Sequence, residues 1–369
     1  MARVLFTAVF LSIFYLAKVA IYDFTVNNGL SDFIMARVQR GTIHFTTLKP
    51  LDNLLTVLVC FFQPVLTGND PSLGLFSIFM VGQLLAMLIL FHVEGLRAGN
   101  RGKAISYMAW WGILCQLVTF AVTSPVYFLL YIYTSPVPTA RGADAFTAAL
   151  AVEPSQARAV IGSVTLGAIL PTVLAALPSP RVVSPYTQDM FLAIWQPFPL
   201  WSGIAQLLLA HGLVMGRVAD SIVPERANLE SKMRHLRDIY AYALTGVALT
   251  SYGVLGYVLW TTGWEAEPTL AALGNILMPT WPWSSSRMAT AERATLALLQ
   301  WDMYCTSLAT WTWVAYMAYQ RRGVGQVVMD LAKLVMWTVV VGPIGAALAV
   351  IWGRDVEACE EAVAKLKTS

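Results

Sequence analysis

Charged residues are scarce in this chain: Asp, Glu, Lys and Arg make up 12% of its 369 residues, while 57% are hydrophobic. A soluble domain carries about 25% charged residues, so most of this surface faces something other than water. The formal net charge is only +3, and the basic residues are scattered between apolar runs. No nucleic-acid-binding stripe is present. Cysteine is scarce as well. Cys60, Cys115, Cys305 and Cys359 show neither a CxxC pair nor Cys/His ligand spacing, so no disulfide framework and no zinc site is expected. Three of the four lie in apolar runs, where a cysteine reads as a small core residue. The glycine-rich dinucleotide and phosphate loops, the HExxH zinc motif and the GxSxG nucleophile elbow are all missing. No two acids adjoin before Glu360-Glu361. Magnesium needs several oxygen ligands in tight geometry, so a metal-triggered reaction on a diphosphate is not expected, and neither a metal nor another cofactor is implied.

What the chain has is long hydrophobic runs. A spanning helix needs about 20 mostly apolar residues, and such runs recur at about 4–22, 51–67, 73–94, 104–134, 159–178, 190–215, 239–262, 294–319 and 331–352. In lipid a backbone must satisfy its own hydrogen bonds, and the alternation of a membrane barrel is absent. The expected fold is therefore all-α: a polytopic transmembrane bundle of about nine helices, eight to ten. One helical domain would cover 1–352, followed by a short cytosolic or interfacial amphipathic tail, 353–369. The first run reads as an uncleaved helix rather than a signal peptide, being long for such a segment and followed by no clear cleavage site. Run 104–134 is long enough to be kinked at Pro125, and run 159–178 contains Pro171. Run 190–215 is broken at Gln196-Pro197-Phe198-Pro199. A broken helix at membrane depth is tolerated where protein or a cavity covers the freed backbone, so this break is either a pocket wall or a packing kink. The stretch 217–238 reads as a solvated connection. The loop 263–293, with Trp264, Trp281 and Trp283, suits the membrane boundary. The two basic clusters, one around Arg97–Lys103 and one around Arg226–Arg237, fall on opposite sides if nine spans are counted. The positive-inside rule favours eight or ten.

Acids inside apolar runs are the functional candidates, because a charged carboxylate at mid-bilayer costs about 2.5–3.5 kcal/mol on insertion scales. Burial disfavours the ionised form of a carboxylic acid, which suits a general acid. Asp302 lies about 12 Å inside its run at 1.5 Å per residue. Cys305, Thr306, Ala309, Trp313 and Tyr316 share or border its face, and Trp301, Tyr304 and Trp311 flank it. Aromatic faces attract cations. The alternative is a structural Asp bonded to a neighbouring helix. Glu94 is the second candidate, with a boundary ion pair to Arg97 as its alternative. Asp52 and Asp189 open apolar runs and read as helix caps, as does Asp330. His92 is a further candidate beside Glu94, and Trp195 borders the Pro-broken run. Gln83, Gln116, Gln196 and Gln206 read as helix-to-helix bonds.

The stretches Leu48-Lys49-Pro50-Leu51-Asp52-Asn53 and His92-Val93-Glu94-Gly95-Leu96-Arg97-Ala98-Gly99-Asn100-Arg101, with Trp301-Asp302 and the aromatic run after it, carry a resemblance. The chain resembles the fungal integral-membrane terpene cyclases of meroterpenoid pathways, and looks closest to longer members acting on farnesylated phenolic polyketides. The resemblance implies a multi-pass enzyme of the endoplasmic reticulum. Its substrate would be a prenylated phenolic small molecule, with a terminal epoxide or an intact olefin. A carboxylic acid would protonate that end, and rings would close through a carbocation without metal. By placement, the catalytic acids would be Asp302 and Glu94, with substrate against Trp301, Tyr304, Trp313, Tyr316, Trp195 and His92. The bilayer is the other expected partner; no nucleic acid and no protein partner is inferred. The competing reading is a small-solute transporter, which would show paired broken helices in two repeats; no internal repeat is visible.

Overall fold

The structure, a computed structural model, describes residues 2–39, 41, 43–215 and 225–368. Among these residues every regular element is a helix and no strand occurs. The chain runs through α1 (Ala2–Asn27), α2 (Leu30–Val38), α3 (Lys49–Leu66), α4 (Pro71–Leu96), α5 (Met108–Val118) and α6 (Phe120–Thr134). It continues through α7 (Ala143–Leu150), α8 (Pro154–Ala175), α9 (Pro185–Trp195) and α10 (Phe198–Met215). The last four are α11 (Glu225–Thr261), α12 (Ala266–Leu277), α13 (Ala291–Arg322) and α14 (Val324–Thr368). The first part of the polar stretch 217–238, up to residue 224, lies outside the described residues.

Five helices are long and apolar enough to cross a membrane: α1, α4, α8, the Met233–Thr261 part of α11, and α14 as far as Lys365. The nine apolar runs do not map one-to-one onto these. Run 104–134 is two helices, α5 and α6, each short of a full span. Run 190–215 is α9 and α10. Helix α13 falls outside the five because Thr, Gln, Trp and Tyr fill much of it, yet most of residues 294–318 are buried. It is the central helix, packed against α1, α3, α4, α6 and α14. A helix surrounded by protein need not be uniformly greasy, which hydropathy alone cannot register.

The irregularities have local causes. Run 104–134 breaks at Thr119 rather than at Pro125, which sits inside α6. In run 159–178 a π-helical turn at Thr165–Ile169 precedes Pro171, and the helix continues through it. A wide turn of this kind accommodates the missing proline N–H. Helix α14 kinks at Gly342 (φ 70°, ψ 172°) before Pro343. The side-chain amide of Gln83 on α4 fills that gap. Its Nε2 donates to the Val341 carbonyl at 3.0 Å, and its Oε1 accepts the N–H groups of Ile344 at 3.0 Å and Gly345 at 3.2 Å. A Cβ at 342 would lie 2.3 Å from Gln83 Nε2, so both the backbone angle and the space require glycine. Gln116 and Gln206 likewise join helices, to the Gln196 carbonyl and to Ser163 and Gln156.

Three acids read as helix caps do other work. Asp52 accepts from the Phe45 and Thr46 N–H groups and the Thr46 hydroxyl, fastening the loop before α3. Asp189 lies within α9, whose cap is Ser184, and accepts from Gln63 Nε2 at 2.6 Å. Asp330 lies within α14, beside Gln326 and Lys333. The helix of the expected tail is continuous with the preceding span. In the 263–293 loop, Trp264, Trp281 and Trp283 are exposed around α12.

Candidate active site

Asp302 sits on the buried central helix at 5% exposure. Its Oδ1 accepts the N–H of Ala121 at 2.6 Å. Ala121 is in the first turn of α6, where backbone N–H groups have no helical carbonyl to bond. The carboxyl group therefore caps α6 from a different helix. Thr119, just before that turn, adopts φ 74°, ψ 158°, a conformation that is essentially a glycine preserve. The strain at Thr119 is what lets α5 stop and α6 begin against Asp302.

Asp302 also lines a cavity of about 640 Å³, within the ordinary range for small-molecule sites. Its walls come from α1, α3, α4, the α5–α6 junction, α8, the α9–α10 break and α13. They are mainly apolar, with Tyr22, Phe61, Phe62, Phe120, Trp195 and Phe198 as the aromatic part. Trp195 and Phe198 stand on either side of the Pro197 break, so that break does border a pocket. Trp195 is held in place by an edge-on contact with Phe62 (4.8 Å between centroids) and by its indole N–H, which donates to the Thr172 hydroxyl at 2.8 Å. Val26, Ile78 and Leu117 line the cavity and are also exposed, so it opens toward the apolar outer surface.

The other candidates are dispersed. Trp195 alone of the six expected substrate contacts lines this cavity. Trp301 donates to the Thr280 carbonyl at 2.8 Å. Tyr304 donates to the Leu277 carbonyl at 2.6 Å and borders a separate groove of about 580 Å³ between α11, α12, α13 and α14. Trp313 is fully buried between Phe128 and Tyr131. Tyr316 accepts from Arg3 Nε at 3.3 Å. His92 is buried with Nδ1 3.1 Å from the Leu88 carbonyl oxygen. Sharing a face with Asp302 was not enough. Trp313 is about 16 Å further along the helix at 1.5 Å per residue, at another level of the bundle.

Glu94 is not among the residues lining the Asp302 cavity. It is almost wholly buried and belongs to an ionic network. Tyr131 donates to its Oε2 at 2.7 Å, and Arg354 Nη2 to its Oε1 at 2.8 Å. Arg97 reaches the same oxygen at 3.3 Å. Asp355 completes the cluster, accepting from Arg97, from Arg354 and from the Tyr240 hydroxyl, the last at 2.7 Å. Two carboxylates thus face two guanidiniums, with two phenols filling remaining lone pairs, which is how buried charge is tolerated. Sequence reasoning missed Arg354, Asp355, Tyr131 and Tyr240. The available signal was a charge pair at the end of run 331–352, mirroring Glu94 and Arg97 at the end of run 73–94.

The CtvD domain family model matches residues 6–359. Terpene cyclase ascI of Acremonium egyptiacum is 30% identical over 341 residues, covering 89% of this chain and 82% of that one. Terpene cyclase penA of Penicillium crustosum is 25% identical over 359 residues, covering 91% and 93%. FAD-dependent monooxygenase verC1 of Penicillium polonicum is 23% identical over 270 residues, which is 72% of this chain but 30% of that much longer protein. No solved structure matches the chain.

Proposed function

This chain belongs to the CtvD domain family and is a terpene cyclase, and we propose that it closes rings on a prenylated phenolic substrate by proton transfer from Asp302 in the membrane-facing cavity. The observation that carries the proposal is the placement of Asp302: one carboxyl oxygen fixed by a backbone N–H, in the wall of a large apolar cavity with aromatic sides.

The terminal epoxide is the favoured substrate form. Part of verC1, a protein named as a FAD-dependent monooxygenase, is similar to this chain. Flavin-dependent oxygen insertion into a terminal olefin yields an epoxide, and an epoxide oxygen is far more basic than an olefin. In the proposed step Asp302 gives its proton to the epoxide oxygen. The C–O bond at the more substituted carbon breaks, and the electron pair of an internal olefin or a hydroxyl oxygen forms the new ring bond. The last cation is quenched by loss of a proton, which returns to the Asp302 carboxylate. No electron is gained or lost, and product and substrate are isomers. Phe61, Phe62, Trp195 and Phe198 would fold the chain and face the developing cation.

Glu94 was the second expected acid. Its carboxylate is held by Tyr131, Arg97 and Arg354, and these three partners favour a structural role for it in this proposal. Nothing comparable supports the transporter reading.

The test is microsomal protein, isolated from endoplasmic reticulum membranes, given a farnesylated phenol or its terminal epoxide with and without a chelator. Cyclised isomer from the epoxide, unaffected by chelation, is the expected result. Strict dependence on magnesium would falsify the proton-first mechanism.

A further inference from the structure

A second cavity, of about 250 Å³, lies where the end of α13, the loop before α7 and both halves of α14 meet. Arg321 is about 28 Å along α13 from Asp302 at 1.5 Å per residue. Arg321 lies just past the apolar run 294–319, which places this cavity at the polar end of that run, and it shares no lining residue with the cavity at Asp302. Its lining differs in kind. Arg141, Arg321, Arg322, Lys333 and Arg354 face three carboxylates, Asp330, Glu357 and Glu361.

Carboxylates pair with four of the five cations and hold them in place. Glu361 accepts from Arg321 at 3.1 Å and from Arg322 at 2.8 Å, and Glu357 lies 3.4 and 3.2 Å from the same two guanidiniums. Lys333 is 3.5 Å from Asp330. Arg141 donates to the Gln320 carbonyl at 2.6 Å, which leaves its charge unmatched by any carboxylate in the cavity wall. Arg354 is the most buried of the five. Its side chain is 9% exposed, and Nε and Nη2 are engaged by Asp355 and Glu94. Its Nη1 is buried and has no hydrogen-bond partner among the described residues. A buried guanidinium N–H left unmade is costly, and the guanidinium fork matches phosphate oxygens.

We propose that this cavity binds a phosphate group, supplied by an anionic phospholipid headgroup at the membrane boundary or by free phosphate, with Arg141, Arg322 and Lys333 donating to its oxygens and the Arg354 side chain in the wall beside them. A membrane surface attracts such basic clusters, and here the cluster surrounds a recess rather than a flat face. The proposal does not depend on the cyclisation chemistry.

The experiment uses the full chain purified in neutral detergent. Thermal unfolding is followed with added short-chain phosphatidic acid, short-chain phosphatidylcholine, or inorganic phosphate against chloride at equal ionic strength. Phosphatidic acid is expected to raise the midpoint by several degrees beyond phosphatidylcholine. If inorganic phosphate does the same and chloride does not, free phosphate is the source; if only the lipid acts, the headgroup is. Lys333→Gln and Arg141→Gln, on exposed side chains, should each weaken the apparent affinity about fivefold while leaving the unliganded midpoint near that of the parent. Equal shifts from all additives, or an affinity unchanged in both variants, would overturn the proposal.

Discussion

Replacing Asp302 by Asn keeps an oxygen able to accept the Ala121 N–H and removes the proton the cavity would receive. Asp302→Asn should therefore accumulate in membranes at the parental level while turnover falls by at least about 100-fold, the lower end of what a general acid contributes. Product assays alongside quantified membrane protein check both halves. Glu94→Gln should behave in the opposite way. It leaves Arg97 and Arg354 with one buried carboxylate fewer, and breaking a buried pair costs about 3–5 kcal/mol. Reduced membrane accumulation and a lower unfolding midpoint are expected, with specific activity of the surviving protein largely kept. Parental accumulation combined with lost turnover in Glu94→Gln would return that residue to the chemistry. These two carboxylates look alike in the sequence, each an acid in an apolar run. What separates them is the surroundings: one backbone N–H and a void for Asp302, two guanidiniums and a phenol for Glu94.

At the scale of elements, helix breaks do the positioning, and some were legible. Prolines at 197 and 199 announced the α9–α10 break, because a ring without an N–H interrupts the ladder wherever the chain is helical. The break at Thr119 was not legible. Threonine does not favour φ 74°, and the reason it holds that angle is a cap supplied by residue 302, far away in sequence. A Thr119→Gly variant should relieve about 1–3 kcal/mol of backbone strain and keep activity, since the α6 cap is untouched. A midpoint that falls instead would show that the Thr119 side chain carries the junction. The α14 kink gives the complementary case. Gln83→Leu removes all three bonds that the amide makes to backbone groups at Val341, Ile344 and Gly345. With buried backbone polar atoms left unpaired at about 1–3 kcal/mol each, membrane accumulation should drop sharply, and Gln83→Glu should recover only part of it.

At the scale of the molecule, two cavities sit at different levels of one buried helix and differ in chemistry. The apolar one opens toward the apolar outer surface and has a carboxyl group in its wall; the basic one gathers the end of α13 and two parts of α14. In the proposed reaction a greasy substrate dissolved in a bilayer would enter the first without crossing water. Enlarging its aromatic wall should alter product shape before it alters protonation. Trp195→Ala is expected to yield partly cyclised or rearranged products at a reduced rate, read by product profile from a single epoxide substrate. An unchanged profile would remove Trp195 from the wall that folds the chain.

The all-α apolar bundle, the position of an acid in mid-run, the Pro197 break and the family resemblance followed from the sequence alone. Hydropathy, proline and short motifs act locally, and local rules read them. Which acid met a void and which met arginines was decided only by tertiary structure. So was the choice of aromatic wall, which comes largely from α3, α6, α9 and α10 rather than from the helix that bears the acid. Those outcomes depend on helix-to-helix contacts between residues as far apart as 94 and 354 or 121 and 302, and no periodicity within one helix encodes what its neighbour will present.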